Sequence, residues 1–156
     1  MNIIATNSTK KLFSCIFLIL IFISCTENIS NSKSHEKIIL RYNELLVRGY
    51  VEMNMTPLRE VATEDQVQKV YHHMAALGES GLRLESELKD IDFLEINYDG
   101  KNIAFVKTRE SWDYNHFHIN TKKSSKKIEN FVYELTYRLT KEDGMWIIAN
   151  VESIKK

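Results

Sequence analysis

The sequence predicts an α+β domain in which N-terminal helices pack on a curved antiparallel β-sheet. Apolar residues recur at three- and four-residue steps as far as Gly78, which is typical of amphipathic helices. After Gly81 the apolar residues alternate with polar ones, which indicates half-buried strands. Asp99-Gly100 lies between two such runs and is a strong hairpin signal. Helices followed by strands are typical of an α+β domain with the helices on one face of the sheet.

The chain begins with a predicted export signal over residues 1–24. Lys10 and Lys11 precede an apolar run over residues 12–24, as in a secretory signal peptide. A membrane-spanning helix needs about 20 apolar residues, so this run is too short to be the favoured kind of anchor.

The signal ends in Phe22-Ile23-Ser24-Cys25, which resembles the lipobox of bacterial lipoproteins. This resemblance implies that the Cys25 thiol receives a diacylglyceryl group and that cleavage makes Cys25 the new N-terminus. The alternative is an ordinary secreted protein, but Phe22 and Ser24 make a poor conventional cleavage site. Thr26 stands where an Asp would suggest inner-membrane retention in that family. We therefore expect a lipid-anchored envelope protein, on the outer membrane facing the periplasm if the host has one.

Composition excludes several functions for the remainder of the chain. Of 156 residues only Cys15 and Cys25 are cysteines, so the folded part has no thiol for a disulfide, a nucleophile or a metal. Without the two lysines of the signal, the chain has 19 Lys and Arg residues and 21 Asp and Glu residues. This balance predicts no nucleic-acid partner, which would require a clustered basic excess.

The helical half divides into a tether and three helical segments. Residues 25–34 are polar and predict a flexible tether, followed by one domain over residues 35–156. A helix begins near His35 with Ser34 as its N-cap. Thr56-Pro57 opens a short helical turn. Residues 63–66 (TEDQ) form a capping box that begins another helix.

The strand half predicts a meander with a long bent hairpin. A two-residue Asp99-Gly100 loop pairs Ile96 with Ile103 and, further from the turn, Asp90 with Arg109. The apolar face then becomes charged midway, which indicates a β-bulge and a bend. The sheet continues past Trp112 and ends with two more strands joined by a turn at residues 141–144.

The closing strands carry the motifs Tyr133-x-Leu135-x-Tyr137-x-Leu139 and Gly144-x-Trp146-x-Ile148. With helices first and long bent hairpins after them, this arrangement resembles the NTF2-like (cone) superfamily. The resemblance spans about residues 35 to 154 and extends to small bacterial members and plastid-division domains of this type. It implies an interior pocket, which carries an Asp or His base in the enzymes of the superfamily and serves only for binding in many other members.

Five charged residues form the most interesting group, namely Asp90, Asp92, Lys107, Arg109 and Glu110. If the register held without a bulge, Asp90, Asp92 and Arg109 would line the pocket beside an aromatic wall of Trp112 and Tyr114. The alternative, which we favour, is ion pairing across strands on the outside of the hairpin.

Two other clusters of residues are weaker candidates for a functional site. His116 and His118 alternate on a strand, but no third ligand is evident, so we predict no metal and no cofactor. Four lysines at positions 122, 123, 126 and 127 are more typical of a solvated loop than of a contact with anionic lipid.

Three functions remain open at this stage. We favour a non-catalytic domain that binds an unknown protein or small ligand next to the membrane. The second is a pocket enzyme resembling dehydratases or isomerases, with Asp90 or Asp92 as the base. The third is a structural lipoprotein that associates with itself, because members of the resembling superfamily commonly form homodimers.

Overall fold

The computed structural model describes residues 26–153, so the predicted signal peptide and Cys25 lie outside the described residues. Contacts divide the chain after Lys33, and the description below concerns the unit from Ser34 onward. The elements in chain order are α1 (Thr26–Glu52), a 3₁₀ helix (Thr56–Glu60), α2 (Glu64–Glu79), β1 (Leu82–Asp99), β2 (Ile103–His118), β3 (Ser124–Glu142) and β4 (Met145–Ser153). Over this part of the chain, no helix is both long and apolar enough to cross a membrane.

Helix α1 begins at Thr26 and therefore corrects two predictions. The segment over residues 25–34, predicted as a flexible tether, is helical from Thr26, and Ser34 lies within the helix rather than at its N-cap. Residues 26–34 contain no Pro or Gly, and extending an existing helix adds one hydrogen bond for each residue fixed. Further along, the predicted apolar face is confirmed, since Ile39, Tyr42 and Leu45 are almost completely buried.

Helix α2 begins at the predicted cap, but only half of the capping box forms. The Thr63 side chain accepts a hydrogen bond from the Gln66 backbone N–H at 3.4 Å. The Thr63 N–H donates to the Ile148 carbonyl at 2.9 Å, in place of the expected bond to the Gln66 side chain. Ile148 N–H donates in turn to Val61 O at 2.8 Å. The start of α2 is thereby attached to β4, and the Gln66 side chain is free to turn inward.

The four strands form one antiparallel sheet in the order β1-β2-β3-β4, which confirms the predicted meander. The predicted two-residue loop is wrong, because Asp99 pairs with Ile103 and three residues connect β1 to β2. Gly100 has a φ of +66°, which a glycine adopts without strain. The predicted β-bulge is confirmed, since the register of β1 shifts between Leu88 and Asp90 and again between Phe93 and Glu95.

The two faces of the sheet have different environments. We call the face that packs on the helices the inner face, and the opposite one the outer face. Along β2 the inner face comprises alternating residues, all of them buried: Ala104, Val106, Thr108, Glu110 and Trp112. Helical residues such as Ile39 and Leu45 belong to the same core as Val106 and Leu139 of the sheet. This packing confirms an α+β fold with two α-helices on a four-stranded antiparallel sheet.

Candidate functional site

A cavity of about 410 Å³ lies between the helices and the inner face of the sheet. Side chains from α1, α2 and all four strands contribute to its lining, and they fall into three groups. The aromatic group comprises Tyr42, Tyr50, Trp112, Tyr114, Tyr133 and Tyr137. The aliphatic group comprises Leu46, Val70, Leu84, Ile128, Leu135 and Val151. The polar group comprises Asn43, Gln66, Lys69, His73, Ser86, Glu110 and His116. A mainly apolar wall with a few polar groups is typical of small-molecule sites.

A second depression of about 500 Å³ lies at the surface beside the 3₁₀ helix. Its charged side chains already pair with each other, since Arg59 Nε donates to Glu64 Oε2 at 2.7 Å. Exposed residues such as Thr56 and His72 form much of its rim. The cavity on the inner face is therefore the candidate site.

The carboxylate of Glu110 is the centre of the polar network beneath the cavity. Its Oε1 accepts hydrogen bonds from Thr108 Oγ1 at 2.9 Å and from the Tyr137 hydroxyl at 2.7 Å. Its Oε2 accepts from Trp112 Nε1 at 2.8 Å. The side chain is fully buried, with 0% of its surface exposed. Three neutral donors thus offset part of the cost of removing this carboxylate from water.

Helical side chains extend the polar network across the cavity. Gln66 Nε2 donates to the Tyr42 hydroxyl at 2.7 Å, which explains why Gln66 leaves the capping box. The Tyr50 hydroxyl and His73 Nδ1 are 2.5 Å apart. Three buried atoms of the cavity lining, Asn43 Nδ2, Gln66 Oε1 and His116 Nδ1, have no hydrogen-bond partner among the described residues. The lining therefore presents polar atoms that a ligand can satisfy.

Aromatic rings form one wall of the cavity. Trp112 and Tyr114 stack with an interplanar angle of 16° and centroids 6.0 Å apart. Tyr133 meets Tyr114 edge-on, at 6.2 Å and 87°. These geometries are favourable for aromatic pairs and hold the rings in fixed positions.

Four phenols of the cavity stay protonated at physiological pH. Burial raises the pKa of Tyr42 to about 12. Burial likewise raises the pKa of the Tyr50, Tyr114 and Tyr137 hydroxyls. These groups consequently act as neutral hydrogen-bond donors and not as general bases.

The structure brings two of the five predicted pocket residues into the cavity, namely Trp112 and Tyr114. The pocket placement of Asp90, Asp92 and Arg109 is wrong, because all three are exposed and lie on the outer face, as the favoured alternative predicted. Asp92 pairs in register with Arg109, and Asp90 with Ser111.

The Leu94 bulge is the physical reason for this error. It turns Leu94 outward, to 49% exposure, and turns Ile91 and Phe93 inward against the core. Asp92, between Ile91 and Phe93, and Asp90, just before Ile91, consequently face solvent. Arg109 pairs there with Glu134, with Nη2 and Oε1 3.1 Å apart.

Sequence reasoning grouped Glu110 with these outer charges and so missed its role. A signal was nevertheless present, because strand residues two apart share a face. Trp112 was predicted to line the pocket, and the residues two and four positions before it on the same strand are Glu110 and Thr108. The strong charge of residues 107–110 obscured this alternation.

The two histidines of β2 lie in different environments. Over residues 26–153, no group of three His, Cys, Asp or Glu side chains is arranged to hold a metal ion. His116 lines the cavity, whereas His118 is exposed at the end of the strand.

No protein-family model matches the sequence, and no curated protein sequence matches it either. The fold is similar to that of the intermembrane space region of chloroplast protein ARC6. That comparison gives a TM-score of 0.66 at 12% identity, over 80% of this chain and 96% of the other. A periplasmic fragment of TraM gives a TM-score of 0.53 at 7% identity, over 76% and 96% of the two chains. A protein from Catenulispora acidiphila gives 0.50 at 11% identity, over 81% and 94%. Likeness at these identities shows a shared fold only.

Proposed function

We propose that this chain is a lipid-anchored protein of the bacterial cell envelope whose NTF2-like domain binds a small ligand without catalysis. The observation that carries the proposal is the cavity of about 410 Å³, with its ring-lined wall and the buried Glu110 network. A rigid apolar wall with a few fixed polar groups is suited to holding one ligand in one orientation.

The bent sheet and its comparisons support the NTF2-like cone. Bulges bend a strand and increase its twist, and β1 has two of them. The likeness to the ARC6 region, at a TM-score of 0.66, extends over nearly all of that region. We infer that the bend closes the inner face around the cavity as the wall of a cone.

Binding without catalysis is supported by where the acidic groups and the phenols lie. Asp90 and Asp92, the bases that the enzyme hypothesis requires, are exposed on the outer face. The cavity phenols are protonated, and Glu110 is fully covered by the three donors that it accepts from. A general base must come within hydrogen-bond distance of its proton, and a covered carboxylate does not.

A pair of substitutions of equal bulk tests the cavity. Ser86 lines the cavity, whereas Glu87 is the next residue of β1 and is exposed. We expect small molecules released from the denatured, purified protein to include one bound component for the wild type and for Glu87→Phe. Ser86→Phe should lack it, because the new ring fills the cavity. Mass spectrometry gives the comparison, and equal content in all three proteins, or none in the wild type, contradicts the proposal.

Envelope location and the lipid anchor rest on the N-terminal sequence. The ARC6 region is an intermembrane space region and the TraM fragment is periplasmic, in keeping with an extracytoplasmic domain. For this chain we propose attachment through acylated Cys25 to the outer membrane, facing the periplasm, if the host has one. Two or three acyl chains hold a protein in a bilayer essentially permanently.

The two cysteines provide a matched test of the anchor. Cys25→Ser should release the protein from membranes, whereas Cys15→Ser, in the predicted signal, should leave it attached. Membrane fractionation and labelling with radioactive palmitate measure both effects. Unchanged attachment of Cys25→Ser, with the signal uncleaved, would mean that the apolar run itself is the anchor.

A further inference from the structure

We infer that the cavity selects organic cations, specifically ligands with an ammonium or quaternary ammonium group. This inference rests on the proposed ligand-binding function and adds the chemical class of the ligand. It depends on two features that lie together on the inner face: an uncompensated carboxylate and the aromatic residues beside it, two of which donate hydrogen bonds to it.

Glu110 has no cationic partner. Among the described residues, its carboxylate takes part in no salt bridge, and its hydrogen bonds come from Thr108, Trp112 and Tyr137, which are neutral. Buried charges are normally paired, because an isolated charge in a medium of low dielectric is costly. Hydrogen bonds from neutral groups reduce this cost and leave the net charge in place. The negative potential therefore extends into the adjacent cavity, whose largely apolar walls screen it less than bulk water would.

Through the aromatic rings, the negative charge of Glu110 can attract a ligand that does not contact the carboxylate itself. Glu110 is fully covered, but Trp112 and Tyr137, which both line the cavity, donate their polar hydrogens to it. A hydrogen bond to an anion polarises the donor and moves electron density into its ring. The ring faces then attract a cation more strongly, and Trp is already the best of the cation–π partners. Tyr114 and Tyr133 extend the same wall.

The cationic residues of the lining do not cancel this preference. Lys69 is exposed, and its Nζ bonds to Asn150 Oδ1 at 3.0 Å and to the Val151 carbonyl at 2.9 Å. His73 is exposed as well and bonds to the Tyr50 hydroxyl. Both groups lie at the rim, whereas Glu110 lies at the base of the cavity. Gln66 Oε1, buried and without a partner among the described residues, supplies an acceptor for a ligand N–H, and Asn43 Nδ2, likewise unpartnered, supplies a donor for a ligand oxygen such as a hydroxyl.

Three probes of one shape and different charge test the inference on the wild-type full chain. They are choline, the neutral 3,3-dimethylbutan-1-ol and the anionic 3,3-dimethylbutanoate. A non-ionic maltoside detergent keeps the lipoprotein soluble without introducing a competing cation. Titration of the Trp112 indole N–H signal by NMR gives each dissociation constant, and Trp146, away from the cavity lining, is the internal control.

We expect choline to bind about tenfold or more tightly than the neutral alcohol, and the anion to bind more weakly than either. Glu110→Gln keeps the shape and removes the charge, so choline's advantage should fall to about threefold or less. Glu95→Gln removes a carboxylate from the outer face and should leave the advantage as it is. The probe comparison on the wild type stands whether or not Glu110→Gln folds.

Each other outcome overturns the inference. If the alcohol binds as tightly as choline, the cavity binds ligands without selecting cations, and the proposed function survives. If the shift of the Trp112 signal does not saturate with choline, the inference fails. The proposed function is then tested separately, by comparing the ligand recovered from Ser86→Phe with that recovered from Glu87→Phe. Equal effects of Glu110→Gln and Glu95→Gln would show that the selectivity arises elsewhere.

Discussion

Arg109 and Glu110 are neighbours on β2, yet their charges have opposite environments. Arg109 is exposed on the outer face and pairs with Glu134, whose carboxylate lies within 3.1 Å. Glu110 is fully buried on the inner face and has only neutral partners among the described residues. One step along a strand thus separates a charge in water from a charge in the core.

The difference shows that the position of a charge, more than its sign or its number of partners, determines its energetic effect. In water a charge pair gains little, and exposed pairs typically contribute at most about 1 kcal/mol. In the core, unsatisfied donors and acceptors each cost about 1–3 kcal/mol. We therefore expect substitutions on the inner face to change stability much more than substitutions on the outer face.

The largest effect is expected from Glu110→Ala. This change leaves the donors of Thr108, Tyr137 and Trp112 without their acceptor and creates a void. The two hydroxyls can find other partners, whereas the Trp112 indole N–H cannot rotate to do so. We expect a loss of about 3 kcal/mol in the free energy of unfolding, measured by urea denaturation. Glu95→Ala, on the outer face, is the matched control, and its free energy of unfolding should be close to that of the wild type. If Glu110→Ala is as stable as the wild type, burying the Glu110 charge costs more free energy than its hydrogen bonds contribute.

A smaller loss is expected from Tyr137→Phe. This change removes one hydroxyl, which donates to Glu110 at 2.7 Å and lies 3.2 Å from Asn43 Oδ1. A hydrogen bond to a charged group contributes about 1.5–3 kcal/mol, and we expect a loss of about 2 kcal/mol. Tyr71→Phe is the control because the Tyr71 side chain is half exposed. Equal unfolding midpoints for the two variants would show that the Tyr137 hydroxyl does not stabilise the Glu110 network.

The same contrast explains how far the sequence could predict the fold. Periodicity identified the helices, the meander and the Thr63 cap, because each depends on residues close together in sequence. The outward placement of Asp90 and Asp92 depends on the bulges near Lys89 and Leu94, which no Gly or Pro marks. The helical start at Thr26 also has no N-cap signal of the kind expected at Ser34. Local chemistry was thus predictable, whereas the register that decides the site was not.

A pH-dependent effect is expected from His35, a buried imidazole of α1. His35 packs between Trp146, with centroids 4.7 Å apart, and Tyr98 at 5.6 Å. Burial, with the nearby Lys141 charge, lowers the pKa of His35 below its ordinary value of 6.5. The unfolded chain therefore binds a proton more readily than the folded one. This contribution to stability is present above pH 6.5 and is lost as the pH falls towards the folded-state pKa.

Replacing His35 by Phe keeps an aromatic ring and removes the titration. The difference in unfolding free energy between this variant and the wild type should grow in favour of the variant on acidification. Urea denaturation at several pH values measures it. His118→Phe removes one imidazole from an exposed position and is the control. A difference that does not change with pH would show that the His35 ring is not buried as a neutral group.

The smallest effect is expected from Arg109→Met on the outer face. Methionine keeps the apolar part of the side chain and removes the guanidinium that pairs with Glu134. Because the Arg109 side chain is 51% exposed, water compensates for most of the lost pairing. We expect a change below about 0.5 kcal/mol in the free energy of unfolding. A loss that approaches that of Glu110→Ala would mean that the outer face is itself removed from water. Self-association through this face is the simplest cause, and a loss that depends on protein concentration would identify it, since a dimer is stabilised by mass action.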